Sequence, residues 1–254
     1  MKNLITKAAI VSAMMAAPSF AIFGLGAHYA PAFHTIDAKN SAWELRNEVD
    51  KTGQVNLFQG EVTKMEGFGF KFWIDIIPVI DIEASMNINF ANYSTDLQFS
   101  DADNKKSEKV ALSPDFDFAG VAVPNYFQAV SDLTVNYPVF DVIPMLTPYV
   151  GAGVSYFAGT PIADKAFVKD FLTKNPTLEA DLETSPEQVA EKIAEKLASD
   201  GFTTAVGGHV QAGIRFKPVI IPFAIYANSK YYFGDLHEAV SQGALFELGG
   251  GIAF

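Results

Sequence analysis

The last eleven residues of this chain limit its fold most. Ala244, Phe246, Leu248, Gly250, Ile252 and Phe254 fall on one face of an extended strand, and all are apolar or glycine. Glu247, Gly249, Gly251 and Ala253 fall on the opposite face. This is the period-two pattern of a strand, not the 3.6-residue period of a helix.

The same alternation recurs through the chain. Eight segments carry it, near 22–34, 63–76, 80–99, 129–140, 147–158, 203–217, 221–233 and 244–254. The clearest is the third, where Ile80, Ile82, Ala84, Met86, Ile88 and Phe90 alternate with Asp81, Glu83, Ser85, Asn87 and Asn89. Lipid-spanning barrel strands need about 9–11 residues, with one apolar face and one that tolerates polar groups. The polar face here mixes glycine with isolated Lys, Arg, Asp and Glu, which suits a narrow interior better than a water-covered surface.

Residues 1–21 read as a secretory signal peptide, with Lys2 and Lys7 ahead of an apolar run and small residues at Ser19 and Ala21. That run is shorter than the roughly 18 residues of a membrane-spanning helix. The expected mature domain, 22–254, is of a size normal for one barrel with loops. The formal net charge is −11, and it becomes two units more negative without Lys2 and Lys7. So acidic a chain argues against nucleic acid as a partner. The chain contains no cysteine, which removes disulfide scaffolds and thiolate metal sites. Its 22 Phe and 9 Tyr suit lipid-facing strands with aromatic girdles.

The connectors alternate in length. Those near 35–62, 100–128 and 159–202 are long, one near 234–242 is shorter, and the others are brief and proline-centred. Short turns on one side and long loops on the other match the topology of outer-membrane barrels. With eight strands, both chain ends fall on the short-turn side. The stretch 115–123 also alternates and is read as an extension or loop strand. The 159–202 loop has a helical pattern: Ser185 and Pro186 suit a helix start, and Val189, Ile193 and Leu197 follow at four-residue spacing. A preceding segment near 162–174 sets Phe167 and Phe171 four apart. Two amphipathic helices covering the barrel mouth or each other are expected there.

These features resemble the small eight-stranded outer-membrane barrels, the group of the OmpA transmembrane domain, OmpX and OmpW. The segment Pro148-Tyr149-Val150-Gly151-Ala152-Gly153-Val154-Ser155-Tyr156 is similar to a strand motif common there, and 249–254 to its closing strand. The resemblance covers the strands, about half of the mature chain. It implies an all-β, eight-stranded antiparallel up-and-down transmembrane β-barrel with a helical extracellular loop insertion. It further implies location in a bacterial outer membrane, in contact with the lipid bilayer. Recognition by the barrel-assembly machinery would run through Phe246, Leu248, Ile252 and Phe254. A surface partner would bind through the outer loops.

The fold does not fix an activity. Four histidines are present: His28, His34, His209 and His237. His209 falls mid-strand on the inner face, where a lumen hydrogen-bond donor is expected rather than a catalytic base. No nucleophile signature surrounds His34 or His237, and no catalytic residue, cofactor or metal site is assigned. The inward charges carry more information. Lys71, Asp75, Glu83, His209, Arg215, Lys230 and Glu247 are expected to form a polar network, joined by Asp81 and Lys217, with Arg215 near Glu83 or Glu247. The interior of an eight-stranded barrel is just wide enough for its side chains to fill, and charges there must be paired. A plugged lumen with a structural or surface-interaction role is the leading expectation. The alternative is a narrow porin-like channel, or an OmpW-like conduit for small molecules, with Trp73 facing inward.

Overall fold

A computed structural model describes residues 23–46, 52–77, 80–100, 106–118, 121–123, 126–139, 145–182, 184–218, 221–234 and 242–253. The expected signal peptide, His237 and Phe254 lie outside the described residues. Eight antiparallel strands close a barrel: β1 (Phe23–Tyr29), β4 (Glu66–Ile77), β5 (Ile80–Ala91), β10 (Tyr126–Pro138), β11 (Leu146–Gly159), β12 (Thr203–Phe216), β13 (Phe223–Gly234) and β14 (Gly243–Ala253). Their order around the wall is β1-β14-β13-β12-β11-β10-β5-β4, with β4 returning to β1. Closure leaves no edge in the barrel wall, the condition for strands to cross a bilayer.

Side chains alternate across the wall as the sequence pattern requires. On β1 the exposed Phe23, Leu25 and Tyr29 alternate with inward Gly24, Gly26 and His28. Leu248 on β14 is 62% exposed while its neighbour Glu247 is 1% exposed. The outer surface is a belt of Phe, Leu, Ile, Val and Tyr around a closed wall. A belt of this size around a closed barrel has lipid as its physical counterpart. No helix among the described residues is long and apolar enough to cross a membrane.

The long connectors all leave one end of the barrel and build a second layer. The connector after β1 holds β2 (Lys39–Arg46) and β3 (Thr52–Gln59). The connector after β5 holds β6 (Thr95–Ser100), β7 (Val110–Ala111), β8 (Phe116–Phe118) and β9 (Val121–Val123). Strands β2-β3-β6-β7 form a four-stranded antiparallel sheet in that order, and among the described residues β8 pairs only with β9. The alternation in 115–123 is therefore a small loop hairpin, not a ninth wall strand. The expected third segment, 80–99, divides: β5 crosses, while β6 belongs to the outer sheet.

The connector after β11 carries α1 (Lys165–Lys174), α2 (Pro176–Asp181) and α3 (Pro186–Asp200). Asp164 caps α1, its carboxylate accepting from the Phe167 N–H at 2.7 Å. Ser185 takes the N-cap place of α3 with Pro186 behind it, but its hydroxyl makes no capping bond. Gly201 ends α3 at φ +73°, a conformation that glycine adopts without a Cβ penalty.

The helices cover the sheet, rather than only the barrel mouth or each other. Trp43, Val55, Leu57, Leu97 and Phe99 from the strands pack with Val168, Leu172, Leu182, Val189, Ile193 and Leu197 from the helical connector. This is a two-layer cap with its own apolar core. Period-two burial on β3 and β6 against three- and four-residue spacing on α3 gives each element one face to hide.

Candidate functional site

Among the described residues, the lumen and the cap hold the buried side-chain clusters. The lumen is arranged in layers along the barrel axis. At the short-turn end, Trp73 and Tyr226 meet edge to face with ring centroids 5.9 Å apart, beside Ala224 and Ala253. The Trp73 ring lies over Gly24, where any Cβ would collide with it. The Tyr226 hydroxyl would stand 2.8 Å from a Cβ at Gly26. The inward glycines are thus the floor on which the large rings lie. Arg215 fits between rings, its guanidinium 5.0 Å from the centroid of Trp73 and 5.3 Å from that of Tyr149.

Next to this aromatic layer, Arg215 is 3.1 Å from Asp75, 3.3 Å from Asp81 and 3.9 Å from Glu83. Lys217 is 3.7 Å from Asp75. Glu247 lies apart from Arg215 in a second cluster. Lys71 stands 2.9 Å from Glu83 and 2.5 Å from Glu247. Lys230 stands 2.7 Å from Glu247 and 2.9 Å from Asp132. Neutral groups occupy the remaining positions on these carboxylates. Asn228 and Asn87 donate to Glu247 at 2.8 and 3.2 Å, and Tyr232 and Ser155 donate to Asp132 at 2.9 and 2.8 Å. Charges withdrawn from water are tolerable only with such partners.

His209 sits mid-lumen between Thr134 and Ser155, each 2.8 Å from a ring nitrogen. Asp132 is 3.7 Å away. The set contains Ser, His and Asp, but Ser155 and His209 are fully enclosed, and Asp132 bonds Ser155 directly. This arrangement has no open face for a substrate carbonyl and does not place the Asp behind the His as a nucleophile–base relay needs. His28 instead bonds Tyr226 at 3.0 Å and Asn87 at 2.7 Å. Among the described residues no group of three or more His, Cys, Asp or Glu could hold a metal ion.

Towards the long-connector end the lumen becomes apolar. Ala32, Ile36, Val62 and Met65 from the first connector descend on Tyr126, Val130, Phe157, Tyr232 and Leu245 of the wall. Tyr93, just beyond β5, joins them. Burial pushes the Tyr93 hydroxyl up to about 12. His34, which the sequence puts near the rim, is buried here with its ring 5.4 Å from Tyr232.

Asp132, Asn87, Tyr226 and Tyr232 escape the sequence reading of the network. Asp132 is two positions before Thr134 on the same inward face, so strict extension of the alternation would have found it. The tyrosines look like girdle residues in a list of aromatics; only their parity marks them as inward.

The cap is acidic. A groove of about 520 Å³ lies between α3 and residues 111–115, with Ala190, Ala194 and Ala198 along it and Asp115, Glu187, Glu191 and Glu195 at its sides. Phe246, Leu248 and Ile252 lie on the lipid-facing side of β14.

No protein-family model matches the sequence, and no curated protein matches it. Matching solved structures include Neisserial surface protein A, at 15% identity and TM-score 0.44, over 91% of this chain and 97% of that one. Ail, the attachment invasion locus protein of Yersinia pestis, matches at 10% identity and TM-score 0.40, over 91% and 97%. OprG from Pseudomonas aeruginosa matches at 11% identity and TM-score 0.38, over 91% and 95%. The strand number and closure described above rest on this chain's own pairings.

Proposed function

We propose that this chain is a bacterial outer-membrane barrel with a closed lumen, whose cap is its working surface. The observation that carries the reading is the serial filling of the lumen. An aromatic layer, two ion-paired clusters and an apolar plug follow one another between the two ends. Lys71, Asp75, Glu83, His209, Arg215, Lys230 and Glu247 act in this reading as structural members of the plug. The cap supports the second half of the proposal. Three connectors contribute to one apolar core, an ordering cost that a set of passive loops would not carry. The signal-peptide pattern and the terminal strand support the location. In this reading Phe246, Leu248, Ile252 and Phe254 present the strand to the assembly machinery.

The test is single-channel conductance of the refolded mature chain in a planar bilayer. Silence from a barrel shown to be inserted is the expected result. A steady, reproducible conductance would overturn the closed lumen and move the function to transport.

A further inference from the structure

The cap sheet ends on an open strand. β2 pairs with β3 on one side, from Lys39↔Gln59 to Arg46↔Thr52 without a register shift, and lies at the edge of the sheet. The opposite edge, β7, is two residues long. The direction of the β2 backbone groups follows from the neighbouring ladders. Gly60 N–H donates to Ser94 O at 2.8 Å, and Leu112 N–H to Thr95 O at 2.7 Å. Since backbone direction alternates residue by residue along an antiparallel ladder, Asn56 and Phe58 face β6, while Val55 and Leu57 face β2. Their partners Trp43 and Ser41 face inward, so Asn40, Ala42 and Glu44 turn their N–H and C=O groups outward. Among the described residues, one side chain reaches this edge: Lys165 Nζ donates to Ala42 O at 3.0 Å. The side chains of Asn40, Ala42 and Glu44 are exposed. An edge that no strand covers among the described residues is a template for another strand.

We propose that this edge pairs antiparallel with β2 of a second copy of the same chain, carried on a facing membrane. Of the outward residues, Asn40, Ala42 and Glu44 are self-complementary about Ala42. With Ala42 opposite Ala42 of the second copy, Asn40 faces Glu44 and Glu44 faces Asn40, so amide meets carboxylate and no like charges oppose each other among these three. The smallest of the three side chains lies on the symmetry axis.

The facing arrangement follows from the chain path. The β1–β4 pairing continues outward through the bridges Ala32↔Met65 and Ile36↔Val62 into β2–β3. β2 therefore runs away from the barrel mouth. An antiparallel second β2 must run back towards it, which places the second barrel on the far side of the joint.

The proposal rests on the reading of the cap as the working surface, but its failure is separable, because lumen conductance does not depend on it. The full mature chain is reconstituted, caps outward, into two vesicle populations bearing different fluorophores, and mixed clusters are counted. Wild-type vesicles are expected to tether. Asn40→Glu sets carboxylates against Glu44 and is expected to abolish tethering, whereas Asn40→Lys sets an ammonium there and is expected to preserve it. The two variants share one exposed position, so misfolding does not explain a difference between them.

The chain has no cysteine, so Ala42→Cys supplies a single thiol. Hydrogen-bonded antiparallel partners have Cα atoms about 5.5 Å apart, within disulfide range. Cross-links between the two populations support the joint; cross-links confined to one population overturn the facing arrangement. Inserted wild-type barrels that do not tether, or Asn40→Glu vesicles that tether like wild type, overturn the pairing. A synthetic peptide of residues 39–46 should block tethering. If that peptide binds the edge while vesicles stay separate, the edge belongs to a foreign strand and the second copy is excluded.

Discussion

Lys230 on β13 and Asp132 on β10 meet across the lumen at 2.9 Å, although β11 and β12 separate their strands around the wall. The contact ties distant parts of the barrel. Asp132 also accepts from Ser155 on β11 and from Tyr232 on β13. Removing the carboxylate takes an acceptor from Lys230, Ser155, Tyr232 and Ser85, while Lys230 keeps Glu247 at 2.7 Å and Ser155 keeps His209 at 2.8 Å. Breaking one partner of a buried pair costs about 3–5 kcal/mol, and the remaining Glu247 contact puts Asp132→Ala near the lower end. Urea unfolding of the refolded barrel in micelles measures it. A midpoint equal to wild type would show that the ion pairs do not hold the barrel together.

The wall of the barrel was legible because lipid on one side and a crowded lumen on the other impose period two. Gly24 beside Phe23, and Glu247 beside Leu248, state their faces by parity alone. The cap was hidden for the opposite reason. β2, with Asn40, Ser41, Ala42 and Glu44, has little apolar contrast because its edge and one face meet water. β3 hides Val55 and Leu57 only because α3 lies over them. The helix itself was readable from Val189, Ile193 and Leu197, but its target was not, since helical spacing says that a face is buried and not what covers it. In the lumen, parity placed Lys71 and Arg215 inside, yet pairing depends on how strands far apart in sequence face each other across the axis. Arg215 accordingly sits closest to Asp75 and Asp81, with Glu83 at 3.9 Å.

Adjacent residues on β14 make a sharp test of the lipid face. Leu248 points into the belt and Glu247 into the lumen. Arg on the lipid face costs about 2–4 kcal/mol at the bilayer midplane and less near either surface. Leu248→Arg, halfway along β14, is expected to lose an amount in that range in a refolding equilibrium with lipid vesicles. No loss would place Leu248 outside the hydrocarbon layer.

Ile193 is fully buried in the cap core, on α3 above the sheet. Truncating such a side chain costs about 2–5 kcal/mol. The cap and the wall have separate cores, so Ile193→Ala should loosen the cap and leave the barrel closed. Hydrogen exchange should speed up in β3, β6 and α3, with protection of β10–β13 unchanged. Equal loss in both would mean that cap and barrel unfold as one unit.

Tyr93 connects the apolar plug to alkaline pH. Burial pushes its hydroxyl up to about 12. The unfolded side chain ionises near pH 10. Stability from keeping Tyr93 neutral is therefore complete below about pH 10 and is lost as pH rises towards about 12. Exchange protection at the outer mouth should fall across that window in wild type and fall less in Tyr93→Phe. Identical profiles would mean that Tyr93 does not govern the alkaline loosening.

The aromatic layer at the short-turn end and the apolar plug at the other end lie in series, and each has a separate consequence. Trp73 is fully buried, with Tyr226 at one edge, Arg215 over its face and Gly24 beneath it. Trp73→Ala removes the largest side chain of that layer, a loss of about 3–5 kcal/mol for a buried tryptophan. It also frees Arg215 from one of its two flanking rings. Conductance should nevertheless remain silent, because the Lys71–Glu247 and Lys230–Asp132 layer and the Met65–Tyr126 plug still stand between the two ends. Denaturant unfolding and planar-bilayer recording on the same preparation separate the two effects. A destabilised variant that stays silent fits closure in series. A conducting Trp73→Ala would instead make the aromatic layer the sole seal and leave the inner charges lining a path for ions.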